Sequence, residues 1–181
     1  MGKAYNLLRT HYPDQSCARA IKSNSILPKH KIIASIALEH KLATLDKVSA
    51  RGMIMINRCV LCKNAQETHD HLLLSCPFSQ DIWLSLKRWM GLGNAVEDFH
   101  TEIDRIQHRR YAGSWQKRQA QCTFAATVYS IWMERNSRVF STRQLEPAAI
   151  VQKIKFTVAL RMLEKFKTKT PSDLVESLNA S

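Results

Sequence analysis

The chain has 181 residues, with 27 Lys and Arg against 15 Asp and Glu, a net charge of +12 and 45% hydrophobic residues. That length supports one domain or two small ones, the mean hydropathy of -0.28 is that of a soluble globular protein, and no apolar run approaches the roughly 20 residues of a membrane span. The cationic surplus predicts attraction to polyanions, nucleic acid first, with an acidic protein surface as the competing reading.

Gly and Pro are scarce, five of each, and apolar residues recur mostly at helical spacing. A short amphipathic helix is expected over 4–12, a second over 14–24, and a linker before Pro28. Pro28 opens the next helix, with Ile32, Ile36 and the Ala37 to Leu38 step at core spacing. Thr44 reads as the N-cap of a short helix that Gly52 stops. Residues 53–57 are β-prone and lead into Cys59. After Cys76, Pro77 suits the first position of a helix carrying Phe78, Ile82, Leu86 and Trp89 or Met90. Residues 93–114 form an irregular connector, with a helix expected from Glu102. From Ser114 a long helix places Trp115, Phe124, Val128, Ile131, Trp132 and Val139 on one stripe, with Cys122 packed on it. Pro147 opens the last helix, with Ile150, Ile154, Val158, Met162 and Phe166 on one face. The fold class is therefore mainly α, a helical domain with a zinc-knuckle-like insert and at most a short β arm. It comprises a helical metal-binding region over 1–92, the connector over 93–114, a helical hairpin over 115–170 and a flexible tail over 171–181.

The most informative stretch holds Cys59, Cys62, His71 and Cys76, a C-x2-C-x8-H-x4-C order. Thiolates are soft donors and imidazole a borderline one, the set that Zn2+ takes in a tetrahedron. The two-residue gap lets both sulfurs of Cys59 and Cys62 turn onto one ion, and a short helix bearing LLLS supplies the second pair. With four protein ligands no position is left for water or substrate, which makes the site structural. His69 is the rival fourth ligand; His71 is preferred, with His69 solvated or behind the ligands. Five cysteines, an odd number, argue against a disulfide framework.

The run ETHDHLLLSCPFSQDIW, preceded by CVLC, resembles the zinc-binding domain that follows the reverse transcriptase in plant LINE-type retroelements. In that family Cys, Cys, His and Cys occupy these places, the pair Glu67 and Thr68 precedes the histidine, and Trp83 follows the last cysteine. AYNLL near the start, Pro28 and Lys29, the LATLDKVSARG stretch and IWMERNSRVF resemble further landmarks in family order. Ser35 stands where the family usually has Trp, and Ala43 where it often has Pro, which implies a repacked core and a looser turn. The resemblance implies that the chain is a fragment of a family member.

Phosphate-binding candidates are the basic residues concentrated in the second half: Arg109, Arg110, Lys117, Arg118, Arg135, Arg138, Lys153, Arg161 and Lys165, with Lys63 in the metal loop. Contacts of this kind give affinity without reading bases and weaken with salt. Val60, Leu61, Asn64 and His69 are further loop candidates for contact with exposed bases.

These readings converge on a noncatalytic, zinc-stabilised module that binds nucleic acid, RNA ahead of DNA. The alternative is a zinc-stapled helical adaptor in a larger protein or ribonucleoprotein complex. An enzyme is not expected: no phosphate loop, GxSxG or HExxH is present, and Asp98, Glu102 and Asp104 read as a solvated loop rather than a magnesium cluster. Neither a membrane nor a small-molecule substrate is expected. The expected location is intracellular, the nucleus ahead of an organelle.

Overall fold

The structure, a computed structural model, describes residues 21–53, 56–108, 110, 113–141 and 143–166. The expected helix over 4–12, residues 14–20 of the helix expected over 14–24, the middle of the β-prone run, Arg109 and the tail lie outside them; residues 21–24 are described and are not helical. Among the described residues there are six α-helices: α1 (Pro28–Leu38), α2 (Leu45–Ala50), α3 (Pro77–Trp89), α4 (Phe99–His108), α5 (Ser114–Phe140) and α6 (Pro147–Phe166). A π-helical turn, His71–Ser75, precedes α3.

The axis is α5, whose 27 residues span roughly 40 Å at 1.5 Å per residue. Helices α1, α4 and α6 pack on it, and α3 packs on α6 and α5. Phe124 sits at the centre, its ring centroid 5.4 Å from that of Trp83 and 5.5 Å from that of Phe99. The face of α6 follows the expected period, with Ile150, Ile154, Val158 and Met162 all buried. One continuous core runs from Ile21 to Met162. Residues 93–114 are less irregular than expected. Phe99, Ile103 and Ile106 hold α4 in the core, and Asp98 Oδ1 accepts from the amides of His100 and Thr101 at its start.

One expectation about α1 changes. Ile32 is 60% exposed, because α1 buries the face carrying His30, Ala34, Ala37 and Leu38 instead. Thr44 does occupy the N-cap of α2, but without a side-chain cap bond; its hydroxyl donates to Asp46 Oδ1 at 2.5 Å, and Glu67 Oε1 accepts the Leu45 N–H at 2.9 Å. Gly52 does end α2 as expected: at φ +73, its N–H meets Ser49 O at 2.8 Å and the next amide reaches Val48 O at 3.4 Å. This paired closure needs a left-handed residue, which glycine adopts without a Cβ clash.

Candidate metal centre

The metal loop starts as a tight hairpin. Arg58 and Gln66 form an isolated antiparallel bridge, and Cys59 N–H donates to Ala65 O at 2.8 Å; this bridge is the β structure seen among the described residues. Between them the chain turns through Lys63, at φ +60, whose N–H returns to Cys59 O at 2.8 Å. Cys59 and Cys62 are thus presented from one turn, as the two-residue gap required.

The other pair comes from a different device than a regular helix. Five residues in an α-helix are about 1.4 turns, which would leave His71 and Cys76 on different faces. Instead Cys76 N–H reaches back five residues to His71 O at 2.6 Å, and this wider π turn brings the two round together. Thr68 begins the turn, its hydroxyl accepting the His71 N–H at 3.1 Å. Widening the turn frees carbonyls, and Pro77 has no N–H to offer one. Ser79 Oγ donates to Leu72 O at 2.6 Å and Trp83 Nε1 to Leu73 O at 2.8 Å. Leu72, Leu73 and Leu74 are buried beneath.

The donor atoms of Cys59, Cys62, His71 and Cys76 all lie within 4.8 Å of one another. Cys59 and Cys76 sulfurs are 3.9 Å apart, and Cys62 Sγ is 3.3 Å from His71 Nε2. A tetrahedron with Zn–S bonds of ~2.3 Å has sulfur–sulfur edges near ~3.8 Å, so the pocket of donors fits a zinc-sized ion. Cys59 and Cys76 are wholly buried, while Cys62 and His71 are half-buried.

The surroundings act in opposite directions on the two buried thiols. Hydrogen bonding from Cys76 is the largest effect on Cys59, ahead of the backbone amides of Cys62 and Leu61, and its thiol is held to about 5 against the cost of burial. Cys76 moves the other way, pushed up by its bond to Cys59 and by burial, although the amides of Ser79 and Phe78 oppose the rise. Cys76 is the N-cap of α3, so those two amides are the helix's own unpaired donors, and they meet a ligand sulfur there. A divalent cation would replace the shared proton and let both sulfurs ionise.

His69 stands outside the four-donor set and is not solvated. It is 4% exposed, with Nε2 2.9 Å from Ala37 O and Nδ1 2.9 Å from Asp70 Oδ1. It fastens the metal loop to the end of α1, beside His40, whose ring is 4.0 Å away. Leu61 is also buried, so neither residue is available to a base.

The cationic candidates divide sharply. Arg135 is 4% exposed and donates from Nε and Nη2 to Glu67 Oε1 at 3.0 and 2.8 Å, which corrects its assignment to phosphate. Arg138 is likewise committed: Nε to Glu134 Oε1 at 2.8 Å, Nη1 to Leu61 O at 3.1 Å and Nη2 to Leu145 O at 3.0 Å, over the Phe78 ring at 4.4 Å. Arg161 joins α6 to the segment before α1, through Ser25 O at 2.9 Å and Asn24 O at 3.1 Å, and pairs with Glu164. Lys117 Nζ donates to Gln107 O at 2.9 Å. Lys63, Arg110, Arg118, Lys153 and Lys165 are exposed, and Arg109 lies outside the described residues. Lys153 shares a groove with Lys29 and Arg143.

The acidic trio does not converge. Glu102 is buried and pairs with Lys87 at 2.6 Å, Asp98 caps α4, and Asp104 meets His108 at 2.8 Å. Glu67 had no role in the sequence pattern. Its place beside the histidine in the ET pair was the available signal.

Residues 1–83 match the family described as zinc-binding in reverse transcriptase. The matched span contains all four candidate ligands and ends on Trp83, so the metal-binding region is similar to that family; residues 84–181 lie outside the match. No curated protein and no solved structure matches the chain.

Proposed function

We propose that the chain is a noncatalytic module in which a bound Zn2+ holds the hairpin, the π turn and the start of α3 together, and whose cationic exterior binds nucleic acid, RNA ahead of DNA. The observation that carries the metal assignment is the closed set of four donors, Cys59, Cys62, His71 and Cys76, at zinc-like separations. The net charge of +12 carries the choice of partner. The matched family supports an origin in the region that follows a retroelement reverse transcriptase, in a plant LINE-type element or a host gene that captured the fragment. An intracellular and chiefly nuclear location follows from that origin.

Titrating labelled single-stranded RNA and duplex DNA against the zinc-loaded protein at rising salt tests the reading. Binding should weaken linearly on a log–log plot against salt; binding that is negligible at low salt, or indifferent to salt, contradicts it. A specific observation keeps the adaptor reading as the second one: Phe140 is 81% exposed and Ile32 60%, apolar side chains open to a protein partner. Protein partners that persist after nuclease treatment of the purified complex would favour it.

A further inference from the structure

A groove of about 310 Å³ runs between α1, α5 and α6, and none of the candidate metal ligands lines it. Its rim carries Lys29, Arg143 and Lys153, all exposed. Among the described residues no carboxylate pairs with these three; Lys29 Nζ instead stands 5.4 Å from the centre of the Tyr129 ring. The one acidic residue in the lining, Glu134, is buried and already holds Arg138. The groove is therefore a cationic recess whose charge is unmatched from within.

Its floor is unusual in another way. His30 is 6% exposed and lines the groove beside Tyr129, with ring centroids 4.6 Å apart. No hydrogen bond to its ring nitrogens is present among the described residues. Burial, and then the charge of Lys29, hold its pKa down to about 4, so the ring is neutral at pH 7 and offers one donor and one acceptor. A planar, polar, uncharged ligand group would satisfy it, whereas a carboxylate side chain would meet only its donor. Outside the groove, Phe156 lies three residues from Lys153 on α6 and is 59% exposed, an open face for stacking.

Resting on the nucleic-acid reading above, we infer that this groove, rather than the metal loop, receives one nucleotide of a single strand, its phosphates on Lys29, Arg143 and Lys153 and its base edge against His30. The next base stacks on Phe156. The volume suits a nucleotide and is at the small end of ligand pockets, ~300–1,000 Å³. The arrangement also supplies what a basic surface alone lacks: cations, an aromatic face and a base-edge partner in one place.

The test is fluorescence anisotropy with a labelled oligouridine on the zinc-loaded full chain, comparing wild type with Arg143→Glu/Lys153→Glu, Phe156→Ala and, in the metal loop, Lys63→Glu. All four changed side chains are exposed; zinc content and circular dichroism verify folding. Losing two phosphate contacts should reduce the salt slope by about 1.4, at ~0.7 per contact for single strands, and lower affinity at least tenfold. Phe156→Ala should cost about tenfold, and Lys63→Glu less than either. His30→Gln, which keeps a donor and an acceptor, should retain more affinity than His30→Leu. If wild type binds and the double variant binds as well, the groove is wrong while the nucleic-acid reading stands. A larger loss in Lys63→Glu moves the contact to the metal loop and overturns the inference. Uridine monophosphate binding as tightly as the oligomer would mean a free-nucleotide pocket, and tighter binding of polyglutamate would mean an acidic protein; each overturns it. Absence of any wild-type binding removes both readings.

Discussion

Glu67 Oε1 accepts two hydrogen bonds from the Arg135 guanidinium, 3.0 Å from Nε and 2.8 Å from Nη2, across 68 residues of sequence. Glu67 is wholly buried and Arg135 nearly so. The same oxygen accepts the Leu45 N–H, so one carboxylate joins the metal hairpin, the start of α2 and the C-terminal end of α5. Glu67→Ala should therefore destabilise the protein by about 3–5 kcal/mol, because it leaves a buried guanidinium without its counter-charge. Urea unfolding of the zinc-loaded protein measures this, and the loss should change little with salt because the pair is out of water. Replacing both partners with apolar residues of similar size should cost less than Glu67→Ala alone.

Arg138 ties the turn between Cys59 and Cys62 to the connection between α5 and α6, through Leu61 O and Leu145 O at once. Lysine keeps the charge but lacks the planar fork that reaches both carbonyls. Arg138→Lys should cost about 1–3 kcal/mol and speed the transfer of zinc to a competing chelator. Stopped-flow transfer to a chromogenic chelator reads the second effect.

The π turn depends on Trp83, whose indole N–H occupies the Leu73 carbonyl. Trp83→Phe retains most of the ring but strands that buried acceptor, and should lower stability by about 1–3 kcal/mol. Deleting Leu74 is the sharper variant. It converts the H-x4-C step to H-x3-C, returns the turn to α-helical geometry and should abolish stoichiometric zinc binding while the rest of α3 still forms. Metal analysis of the purified deletion protein checks this.

His30 gives the pH dependence a defined sign. Its pKa falls from 6.5 to about 4 in the folded protein, so the unfolded chain takes up a proton more readily in acid. The stability linked to His30 is complete above pH 6.5, declines as pH falls towards 4 and levels below that. The His30 ring should titrate near pH 4 by NMR. The difference in unfolding free energy between wild type and His30→Gln should shrink across the same window, a comparison in which zinc release by acid affects both proteins.

Residues that act through their neighbours in sequence were legible without the fold. The ligand spacing, Pro77 at the start of α3, Gly52 at the end of α2 and the apolar face of α6 each follow from local geometry, and all four hold. Residues that act through distant partners were not. Arg135 and Arg138 read as phosphate-binding candidates, because nothing near them in sequence reveals Glu67 or the Leu61 carbonyl. The step from His71 to Cys76 suggested a regular helix, since a π turn has no composition signal of its own. Ile32 matched a core period that α1 does not use: the face with Ala34 and Ala37 packs inward instead.

Measuring zinc stoichiometry alongside helicity, before and after chelation of the purified chain, tests the central claim most directly. A single zinc ion per chain is expected, with a cooperative loss of helix signal and melting temperature when the ion is removed. A metal-free protein that keeps its full helicity and the same melting temperature in chelator would contradict it.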